Sequence, residues 1–325
     1  MFPVSRPRRL RTTAAMRELV SDTRLSVKDF VAPLFVREQG DSPVPIKSLP
    51  GVVQHTLPTL KEEVRALRDL GVPSVILFGI PAKKDEIGSG AFDPDGIVQR
   101  ALGELRDLVG DSMVIMSDLC VDEYTSHGHC GVLDAHGCVD NDATVEIYTK
   151  AALAQARAGA HVVAPSGMMD GQVGAIRSTL DAAGFIDTAI LAYSAKYASG
   201  LYGPFRDAVE VQIAGGGDRK GYQQDYRNTR EALREVIADV EEGADMVMVK
   251  PALTYLDILA DVRAAVDVPV AAYQVSGEYA MIKAAAANGW IDHDAVAIEQ
   301  LTAIKRAGAS FILTYFARWF AENNQ

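Results

Sequence analysis

The sequence lacks features that would place it in several other classes of protein. No apolar run reaches the ~18 residues that a membrane-spanning helix needs. An excess of positive charge is also missing, since 32 basic and 43 acidic residues give a formal net charge of −11. Such an acidic chain argues against a nucleic-acid or anionic-membrane partner. The 325 residues contain no linker-like or low-complexity segment, which favours one large α/β domain.

Cysteine is scarce, and its few copies lie close together. Cys120, Cys130 and Cys138 fall within nineteen residues. A disulfide framework would need an even number of cysteines, spread along a secreted chain. The N-terminal segment "MFPVSRPRRLRTTAAMREL" has no apolar core of a secretory signal. A cytoplasmic protein with reduced or metal-bound thiols is therefore expected. The arginine-rich start leaves two interpretations, a transit peptide or a basic arm that lies on an acidic partner surface, and we favour the arm.

Eight short apolar runs are continuous in hydrophobicity, which predicts parallel strands buried on both faces. They span residues 30–36, 74–79, 113–118, 161–166, 188–194, 245–250, 268–274 and 310–316. Helical patterns are predicted at 59–71, 141–160, 229–244, 256–266, 278–289 and 294–309. The G-x-G-x-x-G turn of a dinucleotide-binding sheet does not follow the first run. The alternation predicts an α/β fold of the (β/α)8 TIM-barrel type.

One long insertion, at about 197–226, separates the fifth and sixth predicted strands and is rich in glycine, aromatic and basic residues. Loops of this length in compact domains often act as lids over an active site. The insertion carries Arg206, Arg219 and Lys220, and guanidinium groups suit carboxylates. The alternative is a solvated, charged loop. The predicted organisation is an N-terminal arm at 1–28 and a catalytic barrel at 29–325 that includes this lid.

Two lysines stand where a barrel places its catalytic groups, at the C-terminal ends of strands. Lys250 ends the run "DMVMV", and burial there would lower the pKa of its amine and free it to form a Schiff base. Lys196 ends the preceding strand, and adjacent strands lie ~4.8 Å apart. Two amines facing one pocket would lower each other's pKa. The alternative is a pair of strand-end lysines that extend to solvent.

The stretch "SDLCVDEYTSHGHCG" (117–131) gathers metal-ligating residues after the third predicted strand. If the chain is extended there, Cys120 and Asp122 face one side, and a hairpin-like turn brings Cys130 back to them. Three ligands with an open fourth position are typical of a catalytic metal. His127 and His129 are rival ligands, and buried free thiols are the alternative.

The whole chain resembles the porphobilinogen synthases, also called 5-aminolevulinic acid dehydratases. The resemblance rests on "RPRRLR", "SDLC.DEYTSHGHCG", "VDNDAT", "APSGMMDGQV", "YSAKYASGLYGPFRDA", "GDRKGYQ", "GADMVMVKP..YLDI", "AYQVSGEYAMIKAA" and "IKRAGASFILTYFA". It implies a lyase that condenses two molecules of 5-aminolevulinate to porphobilinogen with loss of two waters, early in tetrapyrrole and heme biosynthesis.

The resemblance also implies roles for individual residues. Lys250 would form a Schiff base with the substrate that supplies the propionate side (P side). Lys196 would hold the substrate that supplies the acetate side (A side), and Asp118 would transfer protons near its amine. The residues that would bind the two substrate carboxylates are Ser276 and Tyr315 on the P side and Arg206 and Arg219 on the A side, with Lys220 and Gln223 as further lid candidates.

The metal site departs from both patterns of the family. Zinc-type members have cysteine at the positions of Cys120, Asp122 and Cys130, whereas the aspartate-rich type has aspartate at the second and third and is associated with Mg²⁺ or no metal. Two thiolates favour Zn²⁺, and one carboxylate remains an acceptable ligand. We therefore expect a weak or labile zinc, and the resemblance removes His127 and His129 from the ligands.

The family implies assembly and regulation as well. It predicts a homo-octamer in which the arm, with its arginines, packs on a neighbouring barrel, and an allosteric Mg²⁺ bound through Glu235 at a subunit boundary. Two other functions stay open on the residues: a Schiff-base aldolase that needs only one lysine, and a non-catalytic octameric scaffold that binds a metal or holds a partner.

Overall fold

The fold is a closed barrel of parallel strands, seen in a computed structural model that describes residues 3–214 and 217–324. Positions 1, 2, 215, 216 and 325 of the predicted arm, lid and barrel lie outside the described residues. The barrel strands are β1 (Phe30–Arg37), β4 (Ser74–Ile80), β5 (Val114–Leu119), β6 (Val162–Pro165), β7 (Ala189–Lys196), β8 (Met246–Lys250), β9 (Val270–Gln274) and β10 (Phe311–Thr314). Each pairs with the next, β1 pairs with β4, and β10 closes on β1.

The (β/α)8 prediction is confirmed, and the predicted strand bounds differ from the observed ones by at most two residues. In β4 every residue is buried, as expected for a strand that has the barrel interior on one face and helices on the other. Two short strands escaped prediction, β2 (Val44–Pro45) and β3 (Val53–His55), which extend the sheet beside β1.

Helices cover the outside of the barrel in the described part of the chain. They are α1 (Ala14–Leu19), α2 (Leu57–Asp69), α3 (Ile97–Val109), α4 (Asn141–Arg157), α5 (Gln172–Ala182), α6 (Gly203–Ala208), α7 (Arg230–Glu241), α8 (Leu256–Ala265), α9 (Ser276–Ala287), α10 (His293–Ala307) and α11 (Ala317–Asn323). The sequence patterns did not predict α1, α3, α5, α6 and α11. The two long ones, α3 and α5, begin after a glycine without a side-chain cap, so the start signal of a helix is missing. Their buried apolar faces supply the stability instead.

Residues 3–28 contribute little to this core. They form a short 3-10 helix (Pro7–Arg11) and α1, and neither has a buried residue. Leu10 and Leu19 are 54% and 75% exposed. The assignment of this segment as an arm that contacts another subunit stays a prediction. No helix in the described ranges is long and apolar enough to cross a membrane.

The insertion after β7 folds over the C-terminal ends of the strands. It contains a 3-10 helix (Gly200–Tyr202) and α6, so it is more ordered than a simple loop. The backbone N–H of Phe205 donates to Ser276 Oγ at 3.0 Å. At the end of α6, Lys84 Nζ donates to the carbonyls of Val209 and Glu210 at 3.2 and 2.9 Å. These bonds fix the insertion against the barrel.

Candidate active site

Two buried lysines lie side by side at the C-terminal ends of β7 and β8. Lys196 pairs directly with Lys250 in the register of these strands, and each is only 5% exposed. Their Nζ atoms lie 5.6 and 4.9 Å from the ring centroid of Tyr193. The barrel thus brings both amines to one cavity, as the strand-end pattern predicts.

The two lysines have different surroundings. Lys250 is enclosed by aromatic rings, and burial lowers the pKa of its amine to about 7, with the charge of Lys196 as the next cause. Lys196 donates a hydrogen bond to the carbonyl of Ser166. One amine is therefore in a mainly apolar setting and the other in a polar one.

Asp118, on β5, faces both lysines across the cavity. Its Oδ2 accepts a hydrogen bond from Ser166 Oγ at 3.1 Å, whereas its Oδ1 has no partner among the described residues. Burial raises the pKa of Asp118 to about 6, against the opposing charges of Lys196 and Lys250. A carboxyl with a pKa near neutrality can both accept and release a proton at working pH.

Charged, hydroxyl and aromatic side chains line the cavity around these groups. Candidate site residues that line it are Asp118, Asp122, Lys196, Arg206, Arg219, Lys250, Ser276 and Tyr315. Two lid candidates do not line it. The Lys220 side chain is exposed and pairs with Asp218 at 3.2 Å. Gln223 is buried beside a neighbouring cavity, and its Nε2 has no partner among the described residues.

The candidate carboxylate-binding groups come from separate elements that border the cavity. Ser276 begins α9, and Tyr315 follows β10, where its hydroxyl lies 3.1 Å from that of Tyr273. Arg206 lies on α6, and burial together with the charge of Arg219 lowers its pKa. Two hydroxyls and two guanidinium groups therefore border one cavity, and both kinds of group can bind an anion.

Cys120, Asp122 and Cys130 offer ligand atoms that all lie within 4.8 Å of one another, and all three are buried. An extended chain, the condition under which Cys120 and Asp122 would face one side, is not what the structure has. Residues 121–124 form a turn, in which the N–H groups of Tyr124 and Thr125 both donate to the Val121 carbonyl. The turn, not strand alternation, brings the first two ligands together.

The two histidines of this segment are engaged elsewhere. His127 Nε2 lies 3.1 Å from the Glu86 carbonyl, and His129 Nδ1 lies 3.2 Å from the Tyr222 hydroxyl. Neither belongs to the group of convergent ligand atoms. The geometry therefore does not support His127 and His129 as ligands of a metal at this group.

Arg219 contacts the metal-ligand group directly. Its Nη2 donates to Asp122 Oδ2 at 2.7 Å and to the Gly128 carbonyl at 2.8 Å. Burial alone would raise the pKa of Asp122, but Arg219 and Lys196 hold it below its usual value. Burial raises the pKa of Cys120. At Cys130 the effect of burial is outweighed by the hydrogen bond with Cys120 and by the charge of Arg219, so the pKa of Cys130 is lowered. Two sulfurs and one oxygen fit Zn²⁺, although Arg219 competes for the oxygen.

Glu235 lies apart from this site, on α7. It is half-buried and borders a second cavity together with Asp170, Asp218, Asp225 and Glu231. Burial, and then the charges of Asp170 and Glu231, raise its pKa. Within the described ranges, the triad at Cys120 is the one group of three ligand atoms that converge. Glu235 therefore belongs to no converging group of three His, Cys, Asp or Glu ligand atoms among the described residues.

Sequence reasoning assigned no role to several residues that line the cavity: Phe78, Glu123, Ser166, Tyr202, Phe205 and Tyr273. Ser166 and Tyr273 lie at the ends of the fourth and seventh predicted strands, which indicates the catalytic face but no function. Glu123 lies next to a predicted metal ligand. Tyr202 and Phe205 come from the lid, and only its folded path brings them to the lysines.

Comparison with known proteins gives a consistent result. The family model for delta-aminolevulinic acid dehydratase matches residues 4–323. Similar curated proteins are the dehydratases of Streptomyces coelicolor, 62% identical, and Mycobacterium tuberculosis, 57% identical, each over 97% of this chain and 96% of the relative. A crystal structure of the Toxoplasma gondii enzyme with its product porphobilinogen superposes with a TM-score of 0.95 at 44% identity, over 98% of this chain and 91% of that one.

Proposed function

Since the chain belongs to the delta-aminolevulinic acid dehydratase family of carbon–oxygen lyases, we propose that it condenses two molecules of 5-aminolevulinate to porphobilinogen. Two waters are lost, and the product enters tetrapyrrole and heme biosynthesis. The observation that carries the proposal is the pair of buried lysines, Lys196 and Lys250, in one cavity. A substrate with a ketone, a carboxylate and an amine matches a cavity that offers amines, guanidinium groups and carboxyls.

Both lysines act as nucleophiles toward the ketones. Lys250, with its lowered pKa, attacks the P-side substrate, and Lys196 attacks the A-side substrate. Each Schiff base turns the former carbonyl carbon into an electron sink, so that a neighbouring C–H becomes acidic. Carbon–carbon and carbon–nitrogen bond formation then close the ring. Holding two flexible substrates together replaces much of the entropic barrier of a bimolecular reaction.

The carboxylates fix the orientation of the two substrates. Ser276 and Tyr315 bind the P-side carboxylate, and Arg206 and Arg219 bind the A-side carboxylate. Arg219 Nε has no partner among the described residues. Its N–H is therefore available to a substrate carboxylate while Nη2 stays bonded to Asp122. Lys220 and Gln223 join the lid contacts only if the lid shifts, because neither lines the cavity in this structure.

Asp118 moves protons beside the A-side amine. Its pKa of about 6 places it near the value of an efficient acid–base group. Ser166 orients it by donating to Oδ2. The free Oδ1 is the atom available to a substrate proton.

Cys120, Asp122 and Cys130 would hold a zinc ion, which supplies a Lewis acid next to the A-side subsite when bound. The single oxygen ligand and its ion pair with Arg219 support weak, labile binding. Arg219 also neutralises the Asp122 carboxylate when the metal is absent and so holds this side chain in place.

Assembly and location complete the proposal. We place the chain in a cytoplasmic homo-octamer whose basic arms, with Arg6, Arg8, Arg9 and Arg11, pack on neighbouring barrels. Support comes from the arm's lack of buried residues in the single chain. An allosteric Mg²⁺ at Glu235 would draw further ligands from outside the single chain.

Pyrrole formation from 5-aminolevulinate, with and without added Zn²⁺ and Mg²⁺, tests the function, and no pyrrole under any condition contradicts it. Borohydride reduction followed by peptide mass spectrometry then locates the adducts. Lys250→Ala and Lys196→Ala should each abolish turnover and remove one adduct. Full turnover in Lys196→Ala would favour the aldolase, and no adduct at all would favour the scaffold.

Lys283 offers a matched control for the adduct experiment. Burial lowers its pKa too, and its Nζ lies 5.4 Å from the ring centroid of Tyr279, but it does not line the cavity. Lys283→Ala should leave both adducts and the turnover unchanged. An adduct on Lys283 would show that lysine reactivity, and not the site, explains the trapping.

A further inference from the structure

Four aromatic rings surround the amine of Lys250. Its Nζ lies over the ring centroids of Tyr273 at 4.5 Å, Tyr193 at 4.9 Å, Phe205 at 5.3 Å and Tyr202 at 5.4 Å. All four distances are within the ~6 Å range of cation–π contacts. Lys196, in contrast, lies over the Tyr193 ring alone among the described residues and donates to a carbonyl. The ring enclosure is therefore specific to one of the two amines.

Lys250 Nζ lies over the four rings, and two of the ring hydroxyls have partners other than this nitrogen. The Tyr202 hydroxyl donates to the Tyr197 carbonyl at 2.7 Å. The Tyr273 hydroxyl lies 3.1 Å from the Tyr315 hydroxyl. A ring face carries the negative side of the aromatic quadrupole, so the enclosure adds negative potential at the nitrogen to that of the Asp118 carboxylate.

We propose that Tyr193, Tyr202, Phe205 and Tyr273 form a cation cage that stabilises the positively charged iminium on Lys250. This inference rests on the proposed function, because the iminium forms only if Lys250 reacts with a ketone. It assigns a catalytic role to ring faces that otherwise would count as packing around the lysine.

The charge arises at a defined step. The lone pair of neutral Nζ attacks the ketone carbon, and the carbonyl π electrons move to oxygen, which takes a proton. Nitrogen loses one of its protons to give the neutral carbinolamine. The protonated hydroxyl leaves as water while the nitrogen lone pair forms C=N, so nitrogen keeps one proton and carries the positive charge. That cation then accepts electrons from the neighbouring C–H bond.

The cage favours this iminium over the ammonium of free Lys250. An ammonium is a compact, strongly hydrated charge with three donors, and a dry enclosure removes its water. The iminium has one N–H and a delocalised charge, so it loses less hydration on burial. Ring faces attract both cations, but they offset a larger share of the hydration free energy that the iminium loses on burial, because that loss is smaller. The same cage thus keeps the free amine reactive and still stabilises the later cation.

The lid supplies half of the cage. Tyr202 ends the 3-10 helix and Phe205 lies on α6, whereas Tyr193 and Tyr273 belong to strands β7 and β9. Phe205 is held in place by the hydrogen bond from its N–H to Ser276 Oγ. An open lid would leave the nitrogen with two of its four ring faces, so lid closure and cation stabilisation occur together.

The test replaces Phe205 with 4-fluoro-, 3,5-difluoro- and 3,4,5-trifluorophenylalanine by genetic incorporation. Fluorine withdraws electron density from the ring face with little change in shape. We expect kcat/KM for 5-aminolevulinate to fall stepwise with fluorine number, by roughly two- to tenfold over the series. The fraction of Lys250 trapped as adduct at subsaturating substrate should fall in the same order.

Phe35 provides the matched control, because it is fully buried and its ring lies 5.9 Å from that of Phe205. Fluorination at Phe35 should leave both readouts unchanged. A normal Lys250 adduct with no dependence on fluorine at Phe205, or equal effects at both positions, overturns the cage alone. No Lys250 adduct in the unsubstituted protein overturns the proposed function together with the cage.

Discussion

The pKa of Lys250 gives the most direct prediction. Burial lowers it from 10.5 to about 7, and the neighbouring positive charge of Lys196 is the next cause. Asp118 acts in the opposite sense, as do Asp122 and Glu123. We therefore expect Lys196→Met to raise the pKa of Lys250 and Asp118→Asn to lower it.

The expected effect on reactivity is large. Below its pKa the amine is protonated and inert, and above it the amine is neutral and nucleophilic. At pH 7, about half of Lys250 is neutral with a pKa near 7, against roughly one molecule in three thousand at the ordinary value. The rate of Schiff-base formation should thus rise with pH and reach half of its plateau near pH 7.

Reductive trapping measures this rate. The protein is mixed with 5-aminolevulinate and cyanoborohydride between pH 5 and 9, and the Lys250 peptide is quantified by mass spectrometry at early times. Lys196→Met should move the midpoint to higher pH, and Asp118→Asn should move it to lower pH. Lys283→Ala, remote from the cavity, is the control that should leave it in place.

Two results would refute this reasoning. A midpoint above pH 9 in the unsubstituted protein would mean that burial does not free the amine. Shifts of the same sign in Lys196→Met and Asp118→Asn would mean that the neighbouring charges do not set the pKa, because the two substitutions remove charges of opposite sign.

Three further predictions concern the metal ligands and the packing beside them. Asp122→Cys should tighten zinc binding, seen as slower loss of zinc to a chelator, because a third thiolate replaces a carboxylate held by Arg219; equal rates of loss would contradict this. Arg219→Leu should raise KM for 5-aminolevulinate. It should also lower the free energy of unfolding by about 3–5 kcal/mol, measured by denaturant titration, because it leaves the Asp122 carboxylate buried without its partner. A stability change below ~1 kcal/mol would contradict the importance of the buried pair. Gly167→Ala should lower the melting temperature, measured by thermal unfolding, because an added Cβ would overlap the Tyr148 hydroxyl. An unchanged melting temperature would show that Tyr148 moves aside without cost.

The sequence by itself determined the barrel and the types of residue at the ends of its strands. Continuous apolar runs between helical patterns identify strands buried on both faces, and a strand's end identifies the catalytic face. Lys196 and Lys250 were predictable for this reason, since their positions depend on strand ends and on the pairing of neighbouring strands. The identities at Cys120, Asp122 and Cys130 likewise define the donor chemistry before any geometry is known.

The tertiary structure decided what depends on distances between remote segments. The turn at 121–124 brings the ligands together without an extended chain, and Arg219 reaches Asp122 from ninety-seven positions away. Helices α3 and α5 form without start signals because the barrel buries their apolar faces. The four rings at Lys250 come from two strands and from the lid, and no local sequence pattern predicts the path of the lid. Local patterns specify elements, but long-range packing sets the positions of side chains, and positions set the pKa values and charges on which the chemistry depends.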